Sequence, residues 1–177
     1  SSVVHLGSDP ALLGMVMRPP VDRERGSHTY WNIRETGSYT INHVPATHTV
    51  QAHQVSARYP DETSEFDAVG FTPIYRCGFD APAVEESPVR IGLERVDEWK
   101  IPQNRCRFIV GQIRWVEFPE EAWAADGYLD IESLGVAALS SLDGYHRTEK
   151  VYRLAYAKPE IYPPTALEDF KAGWKDD

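Results

Sequence analysis

Long apolar runs are absent from this sequence, and the longest, Ala11–Met17, has only the length of one β-strand. A transmembrane helix needs about 18 or more apolar residues in succession, so the sequence predicts no membrane-spanning helix. Basic residues are too few to balance the acidic ones, and the 177 residues carry a formal net charge of −9. Because an acidic chain repels phosphate backbones, the sequence disfavours a nucleic acid partner.

Cysteine is scarce, and Cys77 and Cys106 lie far apart in the chain. Neither belongs to a C-x-x-C motif or a Cys/His cluster, so the sequence indicates neither a zinc site nor thioredoxin chemistry. We expect two reduced, partly buried thiols in a cytoplasmic protein. His43, His48 and His53 recur at a spacing of five, which does not bring them to one face of a helix. We therefore predict no metal site.

Self-sufficient catalytic motifs are absent as well. The sequence contains no G-x-S-x-G, no H-E-x-x-H, no P-loop and no G-x-G-x-x-G. These absences disfavour a hydrolase, a metalloprotease, a kinase-like enzyme and a Rossmann dehydrogenase. They leave a flavoprotein open, because a flavin performs the redox chemistry itself and needs from the protein a site that holds it.

The pattern that is present is that of a folded, strand-rich domain. Hydrophobic residues make up 42% and charged residues 25% of the chain, which is ordinary for a globular protein of one domain. The predicted strands are Val3–Leu6, Ala11–Met17, Ser38–Val44, Phe71–Tyr75, Ala83–Val84, Pro88–Trp99 and Cys106–Val116. The predicted helices are Thr29–Thr36 and Thr47–Arg58, Ser64–Val69 is a short helix or turn, and Tyr145–Tyr156 is a terminal strand or an irregular arm. The fold class is therefore mainly β with short helices, in an antiparallel barrel or sandwich.

A local excess of cations and hydroxyl groups lies around the first predicted helix. It consists of Arg18, Arg23, Arg25, Ser27, His28, Thr29 and Asn32. If Thr29 begins a helix, its hydroxyl, the nearby backbone N–H groups and an arginine together are able to hold a phosphate dianion. A solvated loop with a Ser or Thr that caps the helix explains the same residues. Both interpretations stay open on the residues alone.

Several segments, taken together in chain order, resemble one family. They are Ser1–Pro10, Leu13-Gly14, Met17-Arg18-Pro19, His28–Gly37 followed by Tyr39–Asn42, Ala52–Pro60, Ser64-Glu65-Phe66, Gly70–Pro73, Glu86-Ser87-Pro88, and Gly144-Tyr145 ahead of Tyr156–Pro159. This ordered set resembles the flavin-reductase-like, FMN-binding split-barrel family, of the flavoredoxin or NAD(P)H:flavin oxidoreductase type. The similarity covers nearly the whole chain.

The resemblance implies a split β-barrel with Greek-key-like connections. It implies a homodimer with one FMN per subunit, bound near the dimer interface. On the family's pattern the domain spans residues 1–159, and residues 160–177 form a C-terminal tail. Relatives carry one or two strands ahead of the Ser1-Ser2 segment, so we expect that an N-terminal strand is missing from the sequence as given.

The resemblance also implies which residues contact the flavin. The implied cofactor-binding residues are Ser1, Ser2 and Val3 facing the isoalloxazine ring, Arg18 and Pro19 flanking it, His28, Thr29 and Asn32 near the ribityl chain and phosphate, and Ser56 and Arg58 as a second cluster on the phosphate side. Tyr145 and His146 match the C-terminal arm that closes over the flavin, which suggests a role in binding the nicotinamide substrate. No catalytic acid or base is implied.

The expected function is that of a cytoplasmic NAD(P)H-dependent flavin oxidoreductase. NAD(P)H would donate a hydride to FMN, and free flavin, oxygen or a protein would accept the electrons. Three alternatives stay open: a non-enzymatic FMN electron carrier, an enzyme like pyridoxamine-phosphate oxidase, and an interaction protein built on an empty barrel.

Overall fold

The structure is a computed structural model that describes residues 2–25 and 27–167, and Ser1, Gly26 and residues 168–177 lie outside the described part. Nine strands and three short α-helices follow one another within these residues. The strands are β1 (Ser2–Ser8), β2 (Ala11–Met17), β3 (Ser38–Asn42), β4 (Pro73–Arg76), β5 (Phe79–Val84), β6 (Arg90–Lys100), β7 (Arg107–Glu117), β8 (Ala137–Ser140) and β9 (Gly144–Arg147); the helices are α1 (His28–Thr36), α2 (Thr49–Gln54) and α3 (Glu65–Val69). The predicted fold class, mainly β with short helices, is confirmed.

Five antiparallel strands form the main sheet in the order β1-β2-β7-β6-β3. Its centre is the hairpin of β6 and β7, eleven residues each. The turn between them is closed where Arg105 N–H donates to the Ile101 carbonyl at 2.8 Å. Arg105 takes the left-handed conformation there, with φ at 62°. The turn therefore lies between the two strands that the sequence predicts as Pro88–Trp99 and Cys106–Val116.

Helix α1 lies across one face of this sheet and closes the core. Tyr30 and Ile33 of α1 are almost fully buried against Leu93 and Ile109, which are both 0% exposed. These buried helical positions are three residues apart, the spacing that puts them on one face. The helix ends as predicted at Gly37, whose φ of 75° and N–H bond to the Ile33 carbonyl form a left-handed cap.

The opposite side of β6 carries a close aromatic contact. A Cβ added at Gly92 would lie 2.1 Å from the Trp115 ring, so the indole crosses the backbone where only a glycine leaves room. Phe79 of β5 meets the same indole edge-on, with ring centroids 5.5 Å apart. The β4-β5 hairpin is thereby packed beside the main sheet.

Two predicted elements differ from the structure. The extended pieces around Phe71–Tyr75 and Ala83–Val84 form the two strands of one hairpin. This hairpin is joined to β3, because Thr40 Oγ1 of β3 donates to the Pro82 carbonyl at 2.7 Å. The long helix predicted over Thr47–Arg58 is α2 alone, preceded by a 3₁₀ turn at residues 46–48 and followed by further turns. Ser56 contributes to this early end, because its hydroxyl bonds the His53 carbonyl in competition with helical hydrogen bonds.

The C-terminal third forms a second hairpin and an irregular arm. Strands β8 and β9 pair with each other, and Ala137 N–H donates to the Val44 carbonyl at 2.8 Å, which fixes this hairpin to the end of β3. Beyond Arg147 the chain has no long strand within the described residues. Both cysteines are free thiols, but Cys77 is fully exposed rather than partly buried as expected, because it lies in the tight β4-β5 turn. No helix in residues 2–25 or 27–167 is long and apolar enough to cross a membrane.

Candidate functional site

A cleft of about 330 Å³ opens on the side of α1 that faces α2 and α3. Its walls come from the first turn of α1, the end of β3, both short helices and β5. The lining residues are Thr29, Asn42, Val44, Ala52, Val55, Glu65, Phe66, Phe71 and Val84. A mainly apolar concavity with a few polar groups is the usual form of a small-molecule site.

The first turn of α1 forms the polar end of this cleft. Thr29 is exposed into it, one residue after the helix begins. The N–H groups of a helix's first turn have no acceptor within the helix, and the helix dipole adds partial positive charge there. Ser27 does not cap the helix with its side chain; its hydroxyl instead accepts the Val21 N–H at 3.1 Å. The capping alternative is therefore wrong for Ser27.

His28 fixes the position of this helix start. Its Nε2 lies 2.9 Å from the Arg23 carbonyl and 3.5 Å from an Asp61 carboxylate oxygen. Arg23 in turn forms an ion pair with Glu35 on the same helix. The side chains of His28 and Arg23 thus bond to other residues of the protein. These contacts hold the loop ahead of α1 in one conformation.

The segment after α2 lies close to the β8-β9 hairpin. Tyr145 OH is 3.3 Å from His53 Nδ1, and the two rings meet edge-on with centroids 5.9 Å apart. The Ser56 hydroxyl donates to the His53 carbonyl at 2.7 Å. These contacts connect Tyr145, His53 and Ser56 in one group, although Tyr145 and His53 are 92 positions apart in the chain.

The remaining predicted residues lie apart from one another. Ser2 and Val3 are exposed on the edge strand β1, Arg18 and Pro19 are exposed just after β2, and Arg58 is exposed beyond α2. Asn32 is exposed on α1, one turn from His28. Ser1 lies outside the described residues. These positions stay predictions, because the cleft itself contains only Thr29 of the predicted set.

Tyr145 and His146 do not share a face of β9. Successive side chains of a strand point to opposite faces. Tyr145 contacts His53, while His146 Nε2 lies 2.7 Å from the Ser140 hydroxyl on the neighbouring strand. Only one of the two residues can therefore face a ligand held beside α2, and the geometry favours Tyr145.

The sequence reasoning missed several wall residues. Phe66 and Phe71 supply the aromatic side of the cleft, and Asn42 and Glu65 supply polar atoms. A signal was available for Asn42, which follows an alternating strand at its end. The sequence is consistent with a surface or hydrogen-bonded His53, and the structure agrees with both, but nothing in the local sequence indicates that Tyr145 is the partner. Among the described residues no group of three or more His, Cys, Asp or Glu is arranged to hold a metal ion.

His43 lies between two lining residues yet does not take part in the site. Burial lowers the pKa of His43, so its imidazole is neutral near pH 7. Its Nδ1 is buried with no hydrogen-bond partner in the described part of the chain. The backbone around it is well held, because the Ser87 hydroxyl donates to the His43 carbonyl at 2.8 Å. His43 therefore adds no positive charge near the cleft.

This histidine predicts a pH dependence of stability. Its pKa is lower in the folded chain than in the unfolded chain, so the unfolded state binds the proton first as the pH falls. The free energy of unfolding is expected to decrease as the pH drops from about 7.5 through the unfolded value near 6.5. Urea unfolding of wild type and His43→Gln between pH 8 and pH 5 measures this, and equal slopes for the two proteins would refute it.

Comparison with known proteins identifies the family of this chain. The model of the family described as Flavin reductase like domain matches residues 1–132. This chain belongs to that family. The predicted family is thereby confirmed. No curated protein matches the chain.

Solved structures agree with this family. A crystal structure of a candidate flavin reductase with a split barrel domain from Shewanella frigidimarina is 43% identical, has a TM-score of 0.83, and is matched over 89% of this chain and 76% of that one. Flavoredoxin of Desulfovibrio vulgaris is 23% identical, with a TM-score of 0.68 over 90% and 80% of the two chains. Nitrilotriacetate monooxygenase component B from Bacillus cereus is 16% identical, with a TM-score of 0.74 over 86% and 76%. The split-barrel fold is therefore confirmed.

Proposed function

We propose that this flavin-reductase-like domain binds FMN and transfers electrons from NAD(P)H through it to an acceptor, namely free flavin, oxygen or a protein. The observation that carries the proposal is the cleft in which the first turn of α1 meets an aromatic wall. Thr29 stands at its polar end and Phe66 and Phe71 line its apolar side. FMN has the same division, with a phosphate at one end and a flat apolar ring at the other.

The residues present fit this cofactor. A phosphate dianion is stabilised by the positive end of a helix and by hydroxyl donors. Thr29 provides such a hydroxyl, and Arg58 provides a guanidinium that forms no ion pair within the described residues. Ser56 is able to add a second hydroxyl if it rotates away from the His53 carbonyl. Bound flavin would supply the redox chemistry, accepting a hydride from the nicotinamide and passing electrons onward.

The protein's own task is mainly to position the two reactants. Orientation of bound reactants replaces an acid or base catalyst when the cofactor performs the chemistry. Tyr145 is held near α2 by its contact with His53, and we assign it to the nicotinamide side of the site. Ser2, Val3, Arg18 and Pro19 stay assigned to the ring side of the flavin, as the family resemblance implies, and His28 and Asn32 to the ribityl side.

An absorbance spectrum tests the function directly. Purified protein is mixed with FMN, freed of excess cofactor, and then given NADH or NADPH under anaerobic conditions. We expect retained flavin bands that bleach with at least one nucleotide. Retained bands that do not bleach would favour the electron carrier, and turnover of pyridoxamine phosphate would favour that oxidase. A protein that retains no flavin would contradict the proposal.

The family resemblance further implies a homodimer. Strand β1 lies at the edge of the main sheet and exposes Val3, Val4 and Leu6, with 44%, 47% and 41% of each residue accessible. Apolar residues on both faces of an edge strand favour burial against another surface. Sedimentation equilibrium is expected to give about 40 kDa, twice the 20.0 kDa of one chain. A concentration-independent mass of one chain would contradict this prediction.

A further inference from the structure

Three arginines lie around the hydrogen-bonded pair formed by Tyr30 of α1 and Glu98 of β6. Glu98 of β6 receives the Tyr30 hydroxyl at 2.8 Å, and its carboxylate oxygens lie 3.5 Å from Arg107 and 4.0 Å from Arg95. Arg34 of α1 lies 3.4 Å from the Tyr30 hydroxyl. We call Arg34, Arg95 and Arg107 the arginine cluster.

The arginine cluster carries more positive charge than Glu98 neutralises. Three guanidinium groups remain charged at any physiological pH, against one carboxylate. Lys100 adds a fourth cation, because it lies directly opposite Arg107 in the β6-β7 pairing and therefore on the same face. Like charges at directly opposed positions are destabilising. This local excess occurs in a chain whose formal net charge is −9.

The neighbouring carboxylate does not correct this imbalance. Asp97 precedes Glu98 and pairs with Val110, whereas Glu98 pairs with Ile109, so the two acidic side chains lie on opposite faces of the sheet. The Asp97 oxygens accept the Glu98 backbone N–H and the Trp99 indole N–H, both at 2.7 Å. Asp97 therefore does not neutralise the charge of the arginine cluster.

Two donors of the arginine cluster have no acceptor. The Nε atoms of Arg95 and Arg107 are shielded from solvent and form no hydrogen bond with any described residue. A buried donor without a partner costs about 1–3 kcal/mol, more where the group is charged. Taken as a whole, the Arg95 side chain is 31% exposed and the Arg107 side chain is 27% exposed. An anion that meets the exposed parts of these two side chains would add the negative charge that the cluster lacks.

We propose that the arginine cluster, with Lys100, is a binding site for a phosphate group, separate from the flavin cleft. Guanidinium groups bind phosphate oxygens in pairs, and a planar fork with free N–H groups is the preferred partner. Arg34 and Thr29 are five residues apart on α1, about 140° around the helix, so the helix lies between this site and the cleft. The same chemistry suits inorganic phosphate and the phosphates of a nucleotide.

Calorimetric titrations of the full chain, saturated with FMN so that the cleft is filled, with sodium phosphate and with ADP at low ionic strength test the site and distinguish the two sources. We expect saturable binding of one equivalent, with mutual competition. ADP that binds more tightly than phosphate identifies a nucleotide as the ligand, and equal affinities identify the free anion. Arg107→Gln or Lys100→Gln is expected to weaken binding about tenfold.

Glu98→Gln provides the sharpest variant, because it removes the negative charge that competes with the ligand. We expect it to bind phosphate several-fold more tightly than wild type. Arg114→Gln, outside the arginine cluster and paired with Glu94, serves as the matched control and is expected to bind as wild type does. Wild type without saturable binding would overturn the proposal. So would affinities that fall in Thr29→Ala but not in Lys100→Gln, since the anion would then occupy the cleft.

Discussion

Replacement of Thr29 and Arg58 by alanine together is expected to weaken FMN binding about 100-fold. Each side chain would donate to a phosphate dianion, and a hydrogen bond that involves a charged group is worth about 1.5–3 kcal/mol. Since about 1.4 kcal/mol corresponds to a factor of ten in the dissociation constant, each loss costs at least about tenfold. Fluorescence titration of the apoprotein with FMN measures the change.

The matched controls for this pair are Thr148→Ala and Arg114→Gln. Thr148 is exposed after β9, and Arg114 forms an ion pair with Glu94 on the main sheet. Neither lines the cleft, so FMN affinity is expected to stay at the wild-type value in both variants. An unchanged affinity in the double variant, with normal unfolding, would remove Thr29 and Arg58 from the site.

Replacement of Leu93 by alanine is expected to lower the free energy of unfolding by about 2–5 kcal/mol. Leu93 has no accessible surface and belongs to the core that α1 closes, beside Tyr39 and Ile109. The loss combines the transfer free energy of the deleted atoms with the cost of the cavity left behind. Urea denaturation monitored by circular dichroism gives the free energy directly.

Leu139→Ala is the control for this core substitution. Leu139 is 53% exposed on β8, so its truncation is expected to change stability by less than about 0.5 kcal/mol. Similar losses in the two variants would mean that the sheet face beneath α1 is not the main core. A loss confined to Leu93 would agree with the packing described above.

Local patterns in the sequence predicted the elements that local chemistry determines. The strand Ala11–Met17 has the predicted bounds, and α1 ends at Thr36 as predicted. The β6-β7 hairpin was predicted to within about one residue at its turn. The predicted length of α2 was wrong, and the cause is local too. The Ser56 hydroxyl bonds the His53 carbonyl, and this hydrogen bond competes with those that would continue the helix.

Contacts between distant residues could not be predicted in this way. Tyr145 meets His53 across 92 positions, and Tyr30 meets Glu98 across 68. Periodicity shows which face of an element is buried but not which other element covers it. Thr29 was predicted from the helix start that contains it, whereas Phe66 and Phe71 joined the cleft only through the packing of α3 and the turn that follows it.

Helix α1 also carries an optical reporter. The indole N–H of Trp31 donates to the Val21 carbonyl at 2.7 Å, and its ring meets Tyr30 edge-on at 5.1 Å and lies 5.9 Å from the Arg34 guanidinium. Trp31 thus belongs to the helix that separates the cleft from the arginine cluster. Its emission would respond to ligands on either side: energy transfer would quench it when flavin is present, and a change in the nearby charge would shift its wavelength. In a variant whose other four tryptophans are replaced by phenylalanine, Trp31 emission would report occupancy of both sites in a single fluorescence experiment.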